Sequence, residues 1–471
     1  METRDRFEHL AAKYISKIAQ SVPKELVSLV FSSPLSARSP DVCLLWHGGY
    51  RERHMASLTA RSLWALFSGL LGGCRRLAAN FTPFGYALFG KVGDAILVVS
   101  LACGHVDPSG QFKTQYIPTQ KEDAIFVFGT IDSLKKDAQP IENLTFKEKA
   151  SITRHLVKSG ISAFLKLKGD MADKVLLLSE WLSWSLNLKW LNNYYFAKSL
   201  SSVVERYSVK KIGCIHEMHS YSRIVWAIAS KYRLKSYTLQ HATITKGKRW
   251  YFCYPEEKES GLVLPEVMYV YNDKTMNLLK SYYGSTKFIM GCSYRYSHWK
   301  DIGPAKDRKG GYYLFAGALA GFDNDLLIGL IRKLLNMAKE TIPVRIRLHP
   351  LAKLRNSDSD WLKKGIRNKN IQISQGTPLK KDIEEAIAVI GMSTTVLEEA
   401  LLMARPVIQI AHPDYLQYID LDGIEGAVKK DYEKFLPEDL IAISKRTVDH
   451  EQMKIRLGLE QPLVTYKGLF S

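Results

Sequence analysis

Residues 386–410 read AIAVIGMSTTVLEEALLMARPVIQI. The apolar run AIAVIGM is a strand covered on both faces, 394–403 has helical periodicity, and PVIQIAHP restarts a strand at Pro406. Strand, short turn, helix and second strand form a parallel crossover unit. The same unit recurs upstream as YYLFAGAL, a helix over 322–340, VRIRLHP, a basic helix near 351–367, IQISQG and a helix over 378–386. Five strands at these intervals predict a Rossmann-like domain over 301–450, entered through the charged, Gly/Pro-bearing linker DIGPAKDRKGG at 301–311.

The N-terminal half repeats the pattern. DVCLLWHGGY gives a short apolar run that breaks at a glycine pair, and AILVVSLA (95–102), AIFVFG (124–129), KIGCIHE (211–217), KSYTLQH (235–241), EVMYVYN (266–272) and KFIMGC (287–292) follow. Most precede helical stretches, which predicts a second Rossmann-like domain over 1–300. Phe7, Leu10, Ala11, Tyr14, Ile15 and Ile18 recur at helical spacing over 4–20, and a further helix precedes Pro34. A helical insert occupies 143–207, with Trp181, Trp184, Leu188 and Leu191 on one face, read as the insert's own core in preference to an aromatic ligand box. The tail 451–471 is expected to pack back on the N-terminal domain. The expected class is α/β, two Rossmann-like domains facing a cleft.

A length of 471 residues allows two to four domains. Lys plus Arg number 66 against 47 Asp plus Glu, a formal charge of +19 that implies anionic partners: phosphates, phospholipid or nucleic acid. No zinc-finger, RNP-type or basic-helix dimer signature accompanies the charge, so nucleic acid is not the expected partner. Cys43, Cys74, Cys103, Cys214, Cys253 and Cys292 are far apart without metal-ligand spacing, which predicts free thiols in a reducing compartment and no zinc. The first twenty residues mix both charges and lack the layout of a secretion signal, so a cytoplasmic location is expected. The longest apolar helical run, LWALFSGLLGG at 63–73, is too short to span a bilayer. Flanked by Arg61 and Arg75–Arg76, it reads either as a buried helix or as a helix lying on an anionic membrane.

Ligands of open parallel sheets bind beyond the carboxyl ends of the strands. In the C-terminal half those positions hold Gly317, His349 and Pro350, Gly376 and Thr377, Ser393, Thr394 and Thr395, and His412. An apolar strand ending at Gly391 and a helix starting near Thr394 place Ser393 at an N-cap, where hydroxyls and free N–H groups suit a phosphate. Glu398 and Glu399 follow within reach of a ribose diol, although Thr394 or Thr395 with Glu398 also fits an ordinary capping box. Arg345, Arg347 and His349 alternate along VRIRLH, and a strand-end histidine suits a leaving phosphate.

In the N-terminal half the strand ends carry His47, Gly48 and Gly49, Asp132, His216, Glu217 and His219, and Gln240 and His241. A transfer to a hydroxyl requires a base, for which Glu217 is the first choice, with Asp132 and His47 behind it. Glu217 also fits a helix cap, and Lys246, Lys248 and Arg249 fit either an anion-binding or a solvated basic loop. No D-x-D run suggests a metal, and none is expected, nor any cofactor.

The H-P dipeptide at a strand end, the S-T turn and the E-A-L-x-x-x-x-P-V-I helix and strand resemble the donor domain of bacterial surface-polysaccharide glycosyltransferases of the GT-B fold. The similarity is greatest to the sialyltransferase, polysialyltransferase and capsule Kdo-transferase group. It implies a CMP-activated ulosonic acid donor, with His349 and Pro350 on the nucleotide phosphate, Ser393, Thr394 and Thr395 beside it, and Glu399 at the ribose. His241 resembles the histidine of the Q-H-G turn of capsule and glycerol-phosphate transferases. The implied partners are a nucleotide sugar, a glycan or lipid-linked acceptor, and peripheral contact with an anionic membrane. The chain departs from the family where Met403-Ala404-Arg405 stands in place of a glycine before P-V-I. A CDP-glycerol-type phosphotransferase, a UDP-sugar enzyme (transferase or epimerase) and a non-catalytic sugar-nucleotide-binding protein remain the alternatives.

Overall fold

The computed structural model describes residues 2–38, 84–90, 96–100, 104–106, 112–114, 124–130, 139–214, 218–304, 311–318, 321–338, 340–349, 356–367, 371–374, 376–413 and 417–462, with the single positions 67, 134 and 352. Two compact units divide the chain. The first takes in Met1–Ala242 and Arg249–Arg295, the second Thr243–Lys248 and Tyr296–Pro462.

The first unit is built on an eight-stranded sheet. Its strands are β1 (Phe84–Phe89), β2 (Ile96–Ser100), β5 (Ala124–Thr130), β6 (Gln139–Pro140), β7 (Lys211–Cys214), β8 (Lys235–Leu239), β9 (Val267–Val270) and β10 (Lys287–Met290). Strands β3 (Gly104–Val106) and β4 (Phe112–Thr114) form a separate antiparallel pair. The order is β10-β9-β8-β7-β2-β5-β1-β6, parallel from β10 to β5 and antiparallel at β1 and β6. Counting only the parallel strands in chain order gives 2-1-3-4-5-6, a doubly wound pattern whose direction of winding switches between β2 and β7. The apolar runs at 95–102, 124–129, 211–217, 235–241, 266–272 and 287–292 each contain one of these strands.

Helix Glu2–Ser21 forms where the periodicity placed it, and its apolar stripe is buried. The 143–207 region contains helices Phe146–Lys166, Met171–Leu186 and Trp190–Arg206. Thr145 and Glu148 start the first with a capping box, and the Asp170 carboxylate caps the second. Trp181, Trp184, Leu188 and Leu191 are all buried, so the aromatic face is core. Gly160 is required there, since a Cβ would stand 2.2 Å from the Trp181 ring.

A buried ionic cluster ties the N-terminal segment to later parts of the first unit. Arg249 donates Nε to both oxygens of Glu8 (2.6 and 2.8 Å), and the Tyr254 hydroxyl donates to the same carboxylate at 2.9 Å. Arg38 pairs with Glu257 at 2.7 Å, while Arg223 donates to the Ser36 hydroxyl at 2.7 Å and the Trp250 carbonyl at 3.3 Å. Burial pushes the Arg223 pKa down and lifts the neighbouring Cys253 thiol to about 11, which leaves that thiol inert. Cys214 and Cys292 are likewise buried and outside any disulfide.

The second unit has one six-stranded sheet: β11 (Tyr312–Ala316), β12 (Val344–Arg347), β13 (Ile371–Ile373), β14 (Ala386–Gly391), β15 (Val407–Ala411) and β16 (Ala427–Asp431). All pairs are parallel and the order is β13-β12-β11-β14-β15-β16. In chain order this is 3-2-1-4-5-6, the strand order of dinucleotide-binding Rossmann folds, with its switch point between β11 and β14. Sequence reasoning found five of the six strands. It missed β16 because Ala427-Val428-Lys429-Lys430-Asp431 carries only two apolar residues, as suits an edge strand.

Glu257→Ala should lower the denaturant midpoint of the first unit by the equivalent of about 3–5 kcal/mol, because Arg38 would stay buried without its carboxylate. An unchanged midpoint would show that the cluster carries no stability.

Candidate functional site

The switch point of the second unit is crowded by backbone. Ala316 of β11 pairs with Gly391 of β14. A Cβ on Gly391 would lie 2.8 Å from Thr394 Cγ2 and 3.0 Å from the Ala316 carbonyl oxygen. At Gly317 it would lie 2.4 Å from Asn324 Oδ1. Only glycine fits at either strand exit, because neighbouring protein atoms already take the space a Cβ would fill.

Asn324, on helix Gly321–Met337, fixes the exit of β11. Its Oδ1 accepts from the Ala318 N–H at 3.1 Å and its Nδ2 donates to the Ala318 carbonyl at 2.9 Å. Sequence reasoning missed this residue, although an asparagine just inside a helix that follows a strand and a small-residue loop was its available signal.

His349 follows β12, the neighbour of β11, and is half-buried. Its carbonyl accepts from the Ala352 N–H at 2.8 Å in a turn, which sets the backbone at the strand end. Pro350 lies outside the described residues. Arg345 and Arg347 are held elsewhere: the fully buried Asp382 accepts from Arg345 at 3.2 Å and from Arg347 at 2.5 Å. Arg345 also stacks on Tyr312, 3.7 Å from the ring centroid. These arginines brace the sheet against helix Leu379–Glu385.

After β14 the geometry corrects one expectation. Ser393 is not the N-cap of the next helix, Val396–Leu402, because Thr395 occupies that position and already has helical φ and ψ. The Ser393 hydroxyl instead accepts from the Tyr418 N–H at 3.2 Å, and the Thr394 hydroxyl accepts weakly from the Val396 N–H at 3.4 Å. The capping box is also absent. The buried Glu398 carboxylate turns away from the helix start and accepts from Thr243 and, at 2.5 Å, from Tyr296. Thr394 is buried, whereas Thr395 and Glu399 are half-buried in the first turn of the helix. Gly376 and Thr377 follow β13, an edge strand roughly 10 Å from β11 at ordinary strand spacing. Gly376 takes φ 72°, and the Thr377 carbonyl accepts from Arg347 at 2.8 Å.

Of Lys246, Lys248 and Arg249, Lys246 is exposed, as an anion-binding or solvated loop requires, but the rest of the segment 243–248 packs into the second unit. Besides the Thr243 contact, the Thr245 hydroxyl donates to the Gln417 carbonyl at 3.0 Å, and Lys248 is buried. Gly247 sits so close to that carbonyl that a Cβ would be 2.0 Å away. Arg249 is committed to Glu8.

Met403-Ala404-Arg405 closes helix Val396–Leu402 in a Schellman turn, with Arg405 N donating to the Ala400 carbonyl (2.8 Å) and Ala404 N to Leu401 (3.0 Å). Ala404 takes φ 55°, the left-handed conformation that glycine adopts without penalty. The buried Arg405 donates to the Ile383 carbonyl at 3.2 Å and the Glu384 carbonyl at 2.5 Å, capping the previous helix.

In the first unit, β7 ends at Cys214 beside its switch point. Glu217 and His216 lie just beyond and, with Asp132, His47, Gly48 and Gly49, fall outside the described residues. His219 occupies the N-cap position of helix Ser220–Lys231, the place proposed for Glu217 in its capping reading. Its ring lies 6.2 Å from that of His241, at the exit of β8, and 6.0 Å from that of Trp250. Gln240 is buried, accepting from the Tyr271 N–H at 2.9 Å and donating to the Ala242 carbonyl at 3.0 Å, so its amide organises the turn.

The chain is therefore an α/β protein with two doubly wound parallel sheets, the second in dinucleotide-fold order. No family model and no curated protein matches it. Solved structures similar to it include the GtfA/B complex (12% identity, 58% of this chain and 58% of that chain, TM-score 0.35). MurG of Acinetobacter baumannii (11%, 57% and 72%, TM-score 0.35) is another. The UDP-GlcNAc 2-epimerase of Methanocaldococcus jannaschii in complex with UDP-GlcNAc and UDP gives 13%, 56% and 78%, with a TM-score of 0.38. The chain thus spans about three fifths of the GtfA/B chain that it matches. At such scores the likeness adds nothing to the fold, which rests on sheet order.

Ala404→Gly should raise the second unit's stability by about 1 kcal/mol, read as a higher denaturant midpoint, since an L-residue pays that much in the left-handed region. Glu398→Ala should do the opposite and increase proteolysis within 243–248, because two buried hydroxyls lose their acceptor at about 1–3 kcal/mol each.

Proposed function

We propose that the protein is a nucleotide-sugar-dependent glycosyltransferase that binds its donor at the carboxyl edge of the second unit's sheet. The observation that carries this reading is the 3-2-1-4-5-6 strand order, whose switch point lies between β11 and β14. The nucleotide phosphates would lie over the exits of β11 and β14. His349 would donate to a phosphate oxygen from the next strand, Thr394 and Thr395 would line the other side, and Glu399 would reach the ribose. Ser393 has a smaller part in this arrangement, since its hydroxyl accepts from Tyr418. Pro350, Gly376 and Thr377 would shape the flanking turns.

The acceptor is assigned to the exits of β7 and β8 in the first unit. Glu217 would take the proton from the attacking hydroxyl as the glycosidic bond forms, with Asp132 and His47 as the other candidates for that role. His216, His219, His241, Gln240, Gly48 and Gly49 would border the acceptor. Charge on the departing phosphate would be met by His349 and backbone N–H groups. The motif resemblance favours a CMP-ulosonic acid as donor and a cell-surface glycan or lipid-linked acceptor.

Thermal shift with CMP, CMP-sugars, CDP-glycerol, UDP and UDP-GlcNAc tests the reading, with UDP and UDP-GlcNAc included as the ligands of the epimerase complex above. One nucleotide series should stabilise the wild type, and His349→Ala should weaken it roughly tenfold, the loss of one charge-assisted hydrogen bond. Preference for UDP would replace the CMP donor and keep the class. Stabilisation by none would overturn the proposal.

A further inference from the structure

Helices Phe146–Lys166 and Met171–Leu186 form an antiparallel hairpin in the first unit, closed by a short turn at 167–170. Its inner faces are buried, and Gly169 seats the turn on the N-terminal helix, where a Cβ would stand 2.8 Å from Leu10 Cδ1. The outer faces are unusual. Arg154, Lys158, Ile161 and Leu165 recur at i, i+4, i+7 and i+11 of the first helix, and all are exposed. On the second helix Met171, Val175, Leu178 and Leu182 recur at the same spacing, the first two exposed and the others half-buried. Leu165 is 73% and Met171 60% exposed, on either side of one turn.

The charge around these aliphatic side chains is one-sided. Lys158, Lys166 and Lys168 are exposed near the turn, whereas Arg6 on the neighbouring helix is paired with Asp173 at 3.9 Å. Of the two acidic residues there, Asp173 is buried and Asp170 is committed to two backbone N–H groups as the helix cap. Among the described residues, exposed aliphatic side chains fringed by three lysines against one exposed carboxylate, Asp170, match an anionic bilayer surface, where the chains enter the acyl boundary and the ammonium groups meet lipid phosphates. A nucleic acid would not use the aliphatic stripes. The patch also lacks the aromatic anchors of a protein interface.

We infer that this hairpin tip docks the protein on anionic phospholipid, through Ile161, Leu165, Met171 and Val175 inserted among Lys158, Lys166 and Lys168. The hairpin tip is a different segment from the basic-flanked run at 63–73, of which Phe67 alone is among the described residues, and it does not depend on the nucleotide proposal.

Flotation of the full chain with vesicles of phosphatidylcholine, alone or mixed with phosphatidylglycerol, tests it. One variant combines Leu165→Ser with Met171→Ser, and the other combines Lys158→Glu, Lys166→Glu and Lys168→Glu. All five side chains are exposed, and circular dichroism, melting and nucleotide response should match the wild type. The wild type should float with the mixed vesicles but not with phosphatidylcholine alone, and each variant should lose roughly tenfold or more of that binding. Full binding by either variant, equal binding to both vesicle types, or no flotation of the wild type would overturn the inference.

Discussion

At Gly317 a Cβ would meet Asn324 Oδ1, and at Gly391 it would meet Thr394 Cγ2 and the Ala316 carbonyl of the adjacent strand exit. That crowding follows from the parallel register pairing Ala316 with Gly391, and the rest of the second unit is arranged around it. Asn324 fastens the loop after β11, Arg345 and Arg347 lock β12 onto the buried Asp382, and Arg405 closes the helix before β14. Each device spends polar groups on backbone or buried partners. The strand exits themselves stay lined by glycine, hydroxyls and a histidine.

Glu398 shows how a long-range partner overrides a local rule. By spacing it is the closing residue of a capping box with Thr394 or Thr395. In the fold its carboxylate receives Thr243, from the short segment that enters the second unit, and Tyr296, where the chain enters that unit again. A buried carboxylate holding two hydroxyls outcompetes a cap worth about 1 kcal/mol. Its neighbour Glu399 remains half-buried in the first turn.

Much of this was legible in the sequence. The doubly apolar runs located β2, β5 and β7–β10 as well as β11–β15, and the helical insert's tryptophans are core as their spacing required. What escaped depends on partners far along the chain: Ser393 bonded to Tyr418, Lys248 buried within the second unit, and Arg249 paired with Glu8 across more than two hundred residues. Ala404 is a local feature of another kind. The expected glycine is absent, yet the Schellman turn forms with alanine at φ 55°, because the hydrogen bonds and the buried Arg405 hold it there.

In the proposed function a nucleotide sits over the exits of β11 and β14, and amide hydrogen exchange with and without the preferred nucleotide reads that contact. Exchange should slow chiefly at 317–324 and 391–399, with a smaller effect at 347–349. Protection elsewhere, with these exits unchanged, would contradict it.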